Sequence, residues 1–312
     1  MNIIRYPHHQ PLSVPCCLTI GNFDGVHLGH QALINRVCQQ AVSRGMPSCV
    51  VTMKPLPLQY FGGSGAVEIL TGFKHKARIL ERMNVDVMCV LNFNAAMARM
   101  SAEQFFEQVL WHGLQARYIL IGDDFRFGKG RQGGARELQS WGAQCGMEVE
   151  QSSAVQVADS RVSSSQIRRH LRAGNFMSAR DMLGRDFNVI GRVAHGRKMG
   201  RDLGFPTLNI ELKSGAFPLH GVYVTRVRIG AQWYQSVTSV GYNPTVGGNA
   251  MRAEVHVFDF SADVYGQTVE VLFYQKLRNE VEFVSLDDLI VAIKQDVQAG
   301  HDFFAAYKGE PE

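Results

Sequence analysis

Hydrophobic and polar positions alternate with two different rhythms along this chain. Up to about residue 184, short apolar runs are separated by longer segments in which apolar residues recur every three or four positions. Cys16–Ile20 is a run suited to a buried strand, and Leu28–Arg44 follows with Leu33, Ile34, Val37 and Ala41 on one helical face. Pro47 and Ser48 end that helix, and Cys49–Met53 reads as the next strand. Phe73–Met83 has helical spacing and Val85–Leu91 is extended. A helix begins at Ser101 and ends near His112, and Tyr118–Ile121 is a further strand. Strands alternating with helices predict a parallel sheet covered on both faces.

Beyond residue 185 the period shortens. Val189–Val193, Gly221–Val227, Tyr234–Val240, Arg252–Phe258 and Thr268–Tyr274 are strand-like and separated by Gly or Asn turns, and another strand starts at Pro206. Ser285–Asp288 opens a helix that runs towards Gln298. This pattern predicts a small antiparallel barrel or sandwich closed by a helix. The change of rhythm divides the chain into residues 1–184 and 185–312.

Composition narrows the class. A chain of 312 residues suits about two domains, and its 46% apolar content can supply a core to each. Of 32 basic residues only 9 are Lys and the other 23 are Arg, whose planar guanidinium grips phosphate or carboxylate. With no solid basic block, small anionic ligands are favoured over a nucleic-acid track. No apolar run approaches membrane-spanning length, and Met1–Pro7 lacks a leader pattern. The expected location is therefore cytoplasmic, with neither membrane nor nucleic acid as partner. The six cysteines form no C-x-x-C pair and are expected as buried free thiols.

Gly21-Asn22-Phe23-Asp24-Gly25-Val26-His27-Leu28-Gly29-His30 lies between the first strand and first helix. In an open parallel sheet, ligands bind beyond the carboxyl ends of the strands. A helix N-terminus there favours phosphate. His27 and His30, three apart, can both face that position and donate to phosphate oxygens. Structural caps or a metal pair are the alternatives for these histidines. Gly122–Gly128 holds a second ligand-edge position after the fourth strand. Ser163-Ser164-Ser165 reads as a capped helix start, with Arg168 one turn in. Taken alone, such a serine run is more often only a cap, and Arg169 and Arg172 can be no more than a solvated face.

In the second half, His195–Asn209 combines a basic, glycine-rich loop with a strand. Its spacing is not that of a Walker A loop, yet backbone N–H groups of such a loop can cradle phosphates. Thr207 and Asn209 are two apart and point to one strand face, where their oxygens suit Mg²⁺ carried by a nucleotide. Glu254 and His256 share the face opposite Val255, and a carboxylate there could accept a hydroxyl proton. Strand-edge detail and a solvated face are the plain alternatives.

The first string resembles the H-x-G-H nucleotidyltransferase superfamily, and the two constellations in this order resemble the prokaryotic bifunctional riboflavin kinase/FAD synthetases. Further matching segments are Gly191 to Asn209, Gly241–Thr245, Glu254–Phe260 and Lys276–Glu280. The resemblance implies a Rossmann-like nucleotidyltransferase domain followed by a kinase barrel. It implies adenylylation of FMN to FAD in the first and phosphorylation of riboflavin to FMN in the second, both from ATP with Mg²⁺. Asn22, Asp24, Gly29, Asp124, Phe125, Ser163 and Ser164 would bind ATP for adenylyl transfer, with His27, His30 and Arg168 catalytic. Gly196, Gly200, Arg201, Gly204, Thr207 and Asn209 would hold Mg-ATP in the kinase. Glu254 would be its base, and Arg278 and Glu280 would line its flavin site. Riboflavin, FMN, FAD and ATP are the expected partners, and a weak homo-oligomer is allowed. Met53-Lys54-Pro55 and Ile69 depart from the family's usual Phe-Glu-Pro and Arg, and Ser165 replaces the more usual Thr.

Overall fold

The computed structural model describes all residues except 64, 158–159, 197–199, 201–202, 213–216, 246–247 and 310–312; along 242–245 and 248–250 it describes the backbone alone. The chain forms two compact units, Met1–Val67 with Phe73–Ser163, and Glu68–Gly72 with Ser164–Glu312.

The first unit is built on a six-stranded parallel sheet in the order β1-β4-β3-β2-β5-β6. Its strands are β1 (Asn2–Ile4), β2 (Cys16–Ile20), β3 (Ser48–Lys54), β4 (Val87–Asn92), β5 (Ala116–Gly122) and β6 (Glu148–Ser152). Every residue of β2 is buried. Cys16, Leu18 and Ile20 enter one core cluster, while Cys17 packs with Val37 and Ala41 of helix α1 (Leu28–Arg44) on the other face. Burial on both faces explains why β2 reads as a continuous apolar run. Gly45 ends α1 in the left-handed conformation and returns its N–H to Ala41. The chain then passes through α2 (Pro57–Gly62), α3 (Phe73–Arg82) and α4 (Ala95–Arg99). Ser101 caps α5 (Ala102–Gln104) in a reciprocal box with Gln104, and a π-helical stretch continues it to Trp111. Helix α6 (Ala135–Gln144) precedes β6, and β7 (Gln156–Val157) and β8 (Ser160–Arg161) pair antiparallel in a separate two-stranded sheet.

Three details differ from the sequence pattern. The strand expected from Val85 starts at Val87, because Asn84 turns to φ 58° and the Val85 N–H returns to Leu80. The edge strands β1 and β6 lack apolar alternation, which an edge exposed to solvent does not require. Four of the cysteines are buried as expected, but Cys38 and Cys145 are half-buried: Cys38, in the middle of α1, bonds the Met83 carbonyl, and Cys145 stands at the C-terminus of α6.

The second unit holds helices α7 (Ser164–Arg172) and α8 (Phe176–Leu183), a closed six-stranded antiparallel barrel, and helix α9 (Leu286–Ala306). The barrel, not a sandwich, resolves the open alternative. Its strands are β9 (Asn188–Ala194), β10 (Thr207–Glu211), β11 (Gly221–Ile229), β12 (Gln232–Thr245), β13 (Gly248–Val257) and β14 (Thr268–Arg278), in the order β10-β13-β12-β11-β14-β9. Ile210, Ala253, Val255 and Val257 are buried on the inward face. The register sets Asn209 opposite Glu254 and Thr207 opposite His256. Ser285 caps α9, which continues past Gln298 to Ala306 and packs Phe304 with Val224, Val237 and Phe258.

Candidate active sites

Leaving out the short edge strand β1, the sheet runs β4-β3-β2-β5-β6, so the winding direction reverses between β2 and β5. That switch point is where an open α/β sheet leaves a crevice for a ligand. The Gly21–His30 turn leaves β2 at this place, and Asp124 and Phe125 follow β5 beside it. The turn is tight: Phe23, Gly25 and Val26 have φ of 46°, 87° and 42°. Phe23 and Val26 are fully buried, which anchors a backbone course that L-residues otherwise avoid.

Asp24 and His27 are buried in this turn. His27 is the N-cap of α1, and its Nδ1 accepts from the His30 N–H at 3.3 Å. The two rings stack with centroids 3.6 Å apart. Gly29 lies against the His27 ring, 3.2 Å from Nδ1 to where a Cβ would stand. The structural cap that was one alternative for His27 is therefore present. Burial, reinforced by His27 and Lys76, pushes the His30 imidazole well below its ordinary pKa. Its Nδ1 is buried without a hydrogen-bond partner among the described residues. No group of three or more His, Cys, Asp or Glu side chains placed to hold a metal ion occurs among the described residues.

The Asn22 side chain is exposed, but its carbonyl accepts from Lys76 Nζ at 2.6 Å and Thr52 Oγ1 at 3.2 Å. Lys76 is a buried residue that sequence reasoning passed over. Its signal was a lysine three residues after Phe73 and four before Leu80, on the apolar face of α3. Asp124 is mostly exposed and faces Arg161 at 3.5 Å, while Arg161 binds Asp123 at 2.6 Å. Lys54, the departure from the family pattern, rests over the Phe73 ring at 4.8 Å.

Ser163 closes the first unit, and Ser164 begins α7 in the second. Arg168 Nε donates to the Glu68 carbonyl at 2.6 Å. Arg172, for which a solvated face was one alternative, stays more than half exposed and grips the Glu68 carboxylate with two nitrogens. Ile69, the other departure, is buried.

In the barrel, directly opposed residues of antiparallel strands point to the same side. The register therefore gathers Thr207, Asn209, Glu254 and His256 on one strand face, opposite the inward residues, with Asn209 buried and the other three half-buried. His256 Nδ1 lies 2.9 Å from the Pro206 carbonyl, fixing the entry to β10. Gly196 is required by close approach, since a Cβ there would overlap the Asn209 amide. Phe205 N–H bonds to Gly200 O at 2.7 Å, and Gly204 has φ 86°. Arg201 lies outside the described residues.

Glu280 lies directly over Gly241, whose missing side chain leaves the space for its carboxylate. Burial raises the Glu280 pKa and Glu254 adds to the rise, while His220 and Arg278 oppose it. Arg278 is held by Asp296 of α9 through Nε–Oδ1 at 2.9 Å and Nη2–Oδ2 at 2.8 Å. Asp296 also escaped sequence reasoning: a buried acid in a long helix has no spacing signature of its own.

A switch-point crevice with a histidine-capped helix, together with a barrel bearing hydroxyl, amide and carboxylate on one patch, defines a two-part nucleotide-dependent transferase. The FAD synthetase family model matches residues 9–166 and the riboflavin kinase family model residues 183–304. A bifunctional riboflavin kinase/FMN adenylyltransferase of Haemophilus influenzae is 41% identical over 97% of this chain and 99% of its own. Its counterpart in Pseudomonas fluorescens is 41% identical over 96% of each chain, and that of Escherichia coli K12 is 36% identical over 99% of each. The chain belongs to the bifunctional riboflavin kinase/FMN adenylyltransferase family. A solved structure described as a macrolide-efflux protein of Streptococcus pneumoniae has TM-score 0.81 and 29% identity, covering 96% of this chain and 99% of that one. Among the described residues, no helix is long and apolar enough to cross a membrane.

Proposed function

We propose that the two constellations divide the two reactions between them, with ATP as donor in both. In the first, an FMN phosphate oxygen attacks the α-phosphorus of ATP, pyrophosphate leaves, and FAD forms. His27 and His30 donate hydrogen bonds where charge gathers on the phosphate oxygens. Asn22, Asp24, Gly29, Asp124, Phe125 and Ser163 are assigned to nucleotide binding. Ser164 and Arg168, on α7, are assigned to the same reaction. This assigns residues 1–184 to adenylyl transfer and 185–312 to the kinase.

In the second reaction, Glu254 takes the proton of the riboflavin ribityl hydroxyl as its oxygen attacks the γ-phosphorus, and ADP leaves. Gly196, Gly200, Arg201 and Gly204 cradle the phosphates, while Arg278 and Glu280 contact flavin. Thr207 and Asn209 offer a hydroxyl and an amide oxygen, hard neutral donors that fit Mg²⁺ carried mainly by the nucleotide. The ion neutralises phosphate charge when bound. The assigned setting is cytoplasmic.

The observation that carries this reading is the barrel register, which brings Asn209 and Glu254 to directly opposed positions. One incubation with riboflavin, ATP and Mg²⁺, followed by separation of flavins, tests it. FMN appears first and FAD follows, and neither forms when Mg²⁺ is chelated. Accumulation of FMN with no FAD would withdraw the first assignment.

A further inference from the structure

Neither reaction, as assigned above, uses Lys76. Helix α3 turns His75, Lys76 and Leu80 inward. Lys76 is 7% exposed, an unusual place for a lysine unless it has a partner. Its partner is the Asn22 carbonyl at 2.6 Å, which also receives Thr52. That carbonyl opens the turn in which Phe23, Gly25 and Val26 take left-handed angles. Such a course persists where its surroundings over-determine it. Two donors converging on one oxygen, from α3 and β3, supply that determination at the head of the turn.

The charged and titratable groups around the ammonium are Asp24 from the turn, His30 from α1 with His27 stacked on it, and His75 on its own helix. Thr52, from β3, is neutral. Burial lowers the Lys76 pKa to about 8, and Asp24 opposes the fall. A buried cation behind the two rings also makes this end of α1 more attractive to a polyphosphate, without offering a strongly hydrated head to solvent.

We propose that Lys76 is a positioning residue for adenylyl transfer: its ammonium clamps the Asn22 carbonyl, holds the turn that places His27 and His30, and sets a positive charge behind them. This rests on the assignment of the turn to adenylyl transfer.

The test uses the full chain with Lys76→Met and Lys76→Arg. FAD formation from FMN and ATP is measured from pH 6 to about 9.5, with riboflavin phosphorylation and thermal unfolding on the same preparations. Lys76→Met is expected to lower kcat for FAD formation by about 10- to 100-fold, with KM for FMN changed by less than about threefold. Riboflavin phosphorylation is unchanged. In the unsubstituted enzyme the ammonium loses its proton as pH rises through about 8, so FAD formation falls on that side. That alkaline fall is absent in Lys76→Met, which has no charge to lose. It moves beyond the range in Lys76→Arg, which retains part of the lost kcat. A folded Lys76→Met enzyme with unaltered kcat overturns the proposal, as does an alkaline fall that persists in it. Where Lys76→Met fails to unfold cooperatively, the other two enzymes decide: no alkaline fall in the unsubstituted enzyme, or the same fall in Lys76→Arg, overturns it. An unsubstituted enzyme that makes FMN but no FAD removes the underlying assignment, and the proposal with it.

Discussion

Removing Asp296 tests how the flavin end of the barrel is held. Its carboxylate accepts from Arg278 at three distances between 2.8 and 3.2 Å, and the side chains are 9% and 27% exposed. A fully buried pair loses about 3–5 kcal/mol when one partner is deleted, because the other charge is stranded. Arg278 keeps some access to water, so Asp296→Ala is expected to cost about 2–3 kcal/mol. For a unit of about 150 residues that corresponds to a fall of roughly 4–12 °C in unfolding temperature. Calorimetry of the full chain should move the transition of the second unit and leave that of the first. A double-mutant cycle with Arg278→Ala isolates the pair from lost packing, and a coupling of at least about 1 kcal/mol is expected. The same variant should raise KM for riboflavin, because the guanidinium is no longer aimed, while FAD formation from supplied FMN is unaffected. Additivity within about 0.5 kcal/mol, with unaltered riboflavin KM, would refute this account of the contact.

Replacing both His27 and His30 by Ala is expected to reduce FAD formation by about 10²–10³ per lost donor while riboflavin phosphorylation survives, as separate assays on one preparation will show. Thr207→Ala or Asn209→Ala should weaken FMN formation and raise its Mg²⁺ requirement; loss of pyrophosphate release alone would mean that the two reactions have been exchanged between units. Glu254→Gln should lower riboflavin phosphorylation by roughly 10²-fold or more with flavin affinity little changed, and the variant fed FMN should still make FAD. Near-normal kinase turnover would return Glu254 to a polar place on a strand.

The elements that bury both faces were plain in the sequence. β2 and α1 begin and end where the apolar pattern does, because packing dictates every residue of the strand and one stripe of the helix. β1 and β6 were not legible, since edge strands at the rim bury too little to impose a pattern. The choice between barrel and sandwich depended on β9 closing against β10, a pairing that no local spacing encodes. At the sites, short-range groupings were visible: His27 with His30, and Thr207 with Asn209. Partners distant in sequence were not. Lys76 reaches Asn22 across 54 positions, and Asp296 reaches Arg278 from another element. In each case one member was visible and the fold supplied the other.

The pairing of Asn209 with Glu254 has a consequence for how such a barrel can change. Substitutions on β10 or β13 alter one side chain at a time and leave the others facing outward. A one-residue slip of β10 against β13 acts on all of its side chains together. Because side chains alternate with a period of two, it would turn Thr207 and Asn209 into the apolar interior and bring Leu208 and Ile210 out to meet Glu254. The barrel could restore its core only by sliding the strand back, so spacing is constrained here more strongly than residue identity. Loops away from this pair, such as the turn between β11 and β12 at Gly230, carry no such constraint and are the places where length can vary.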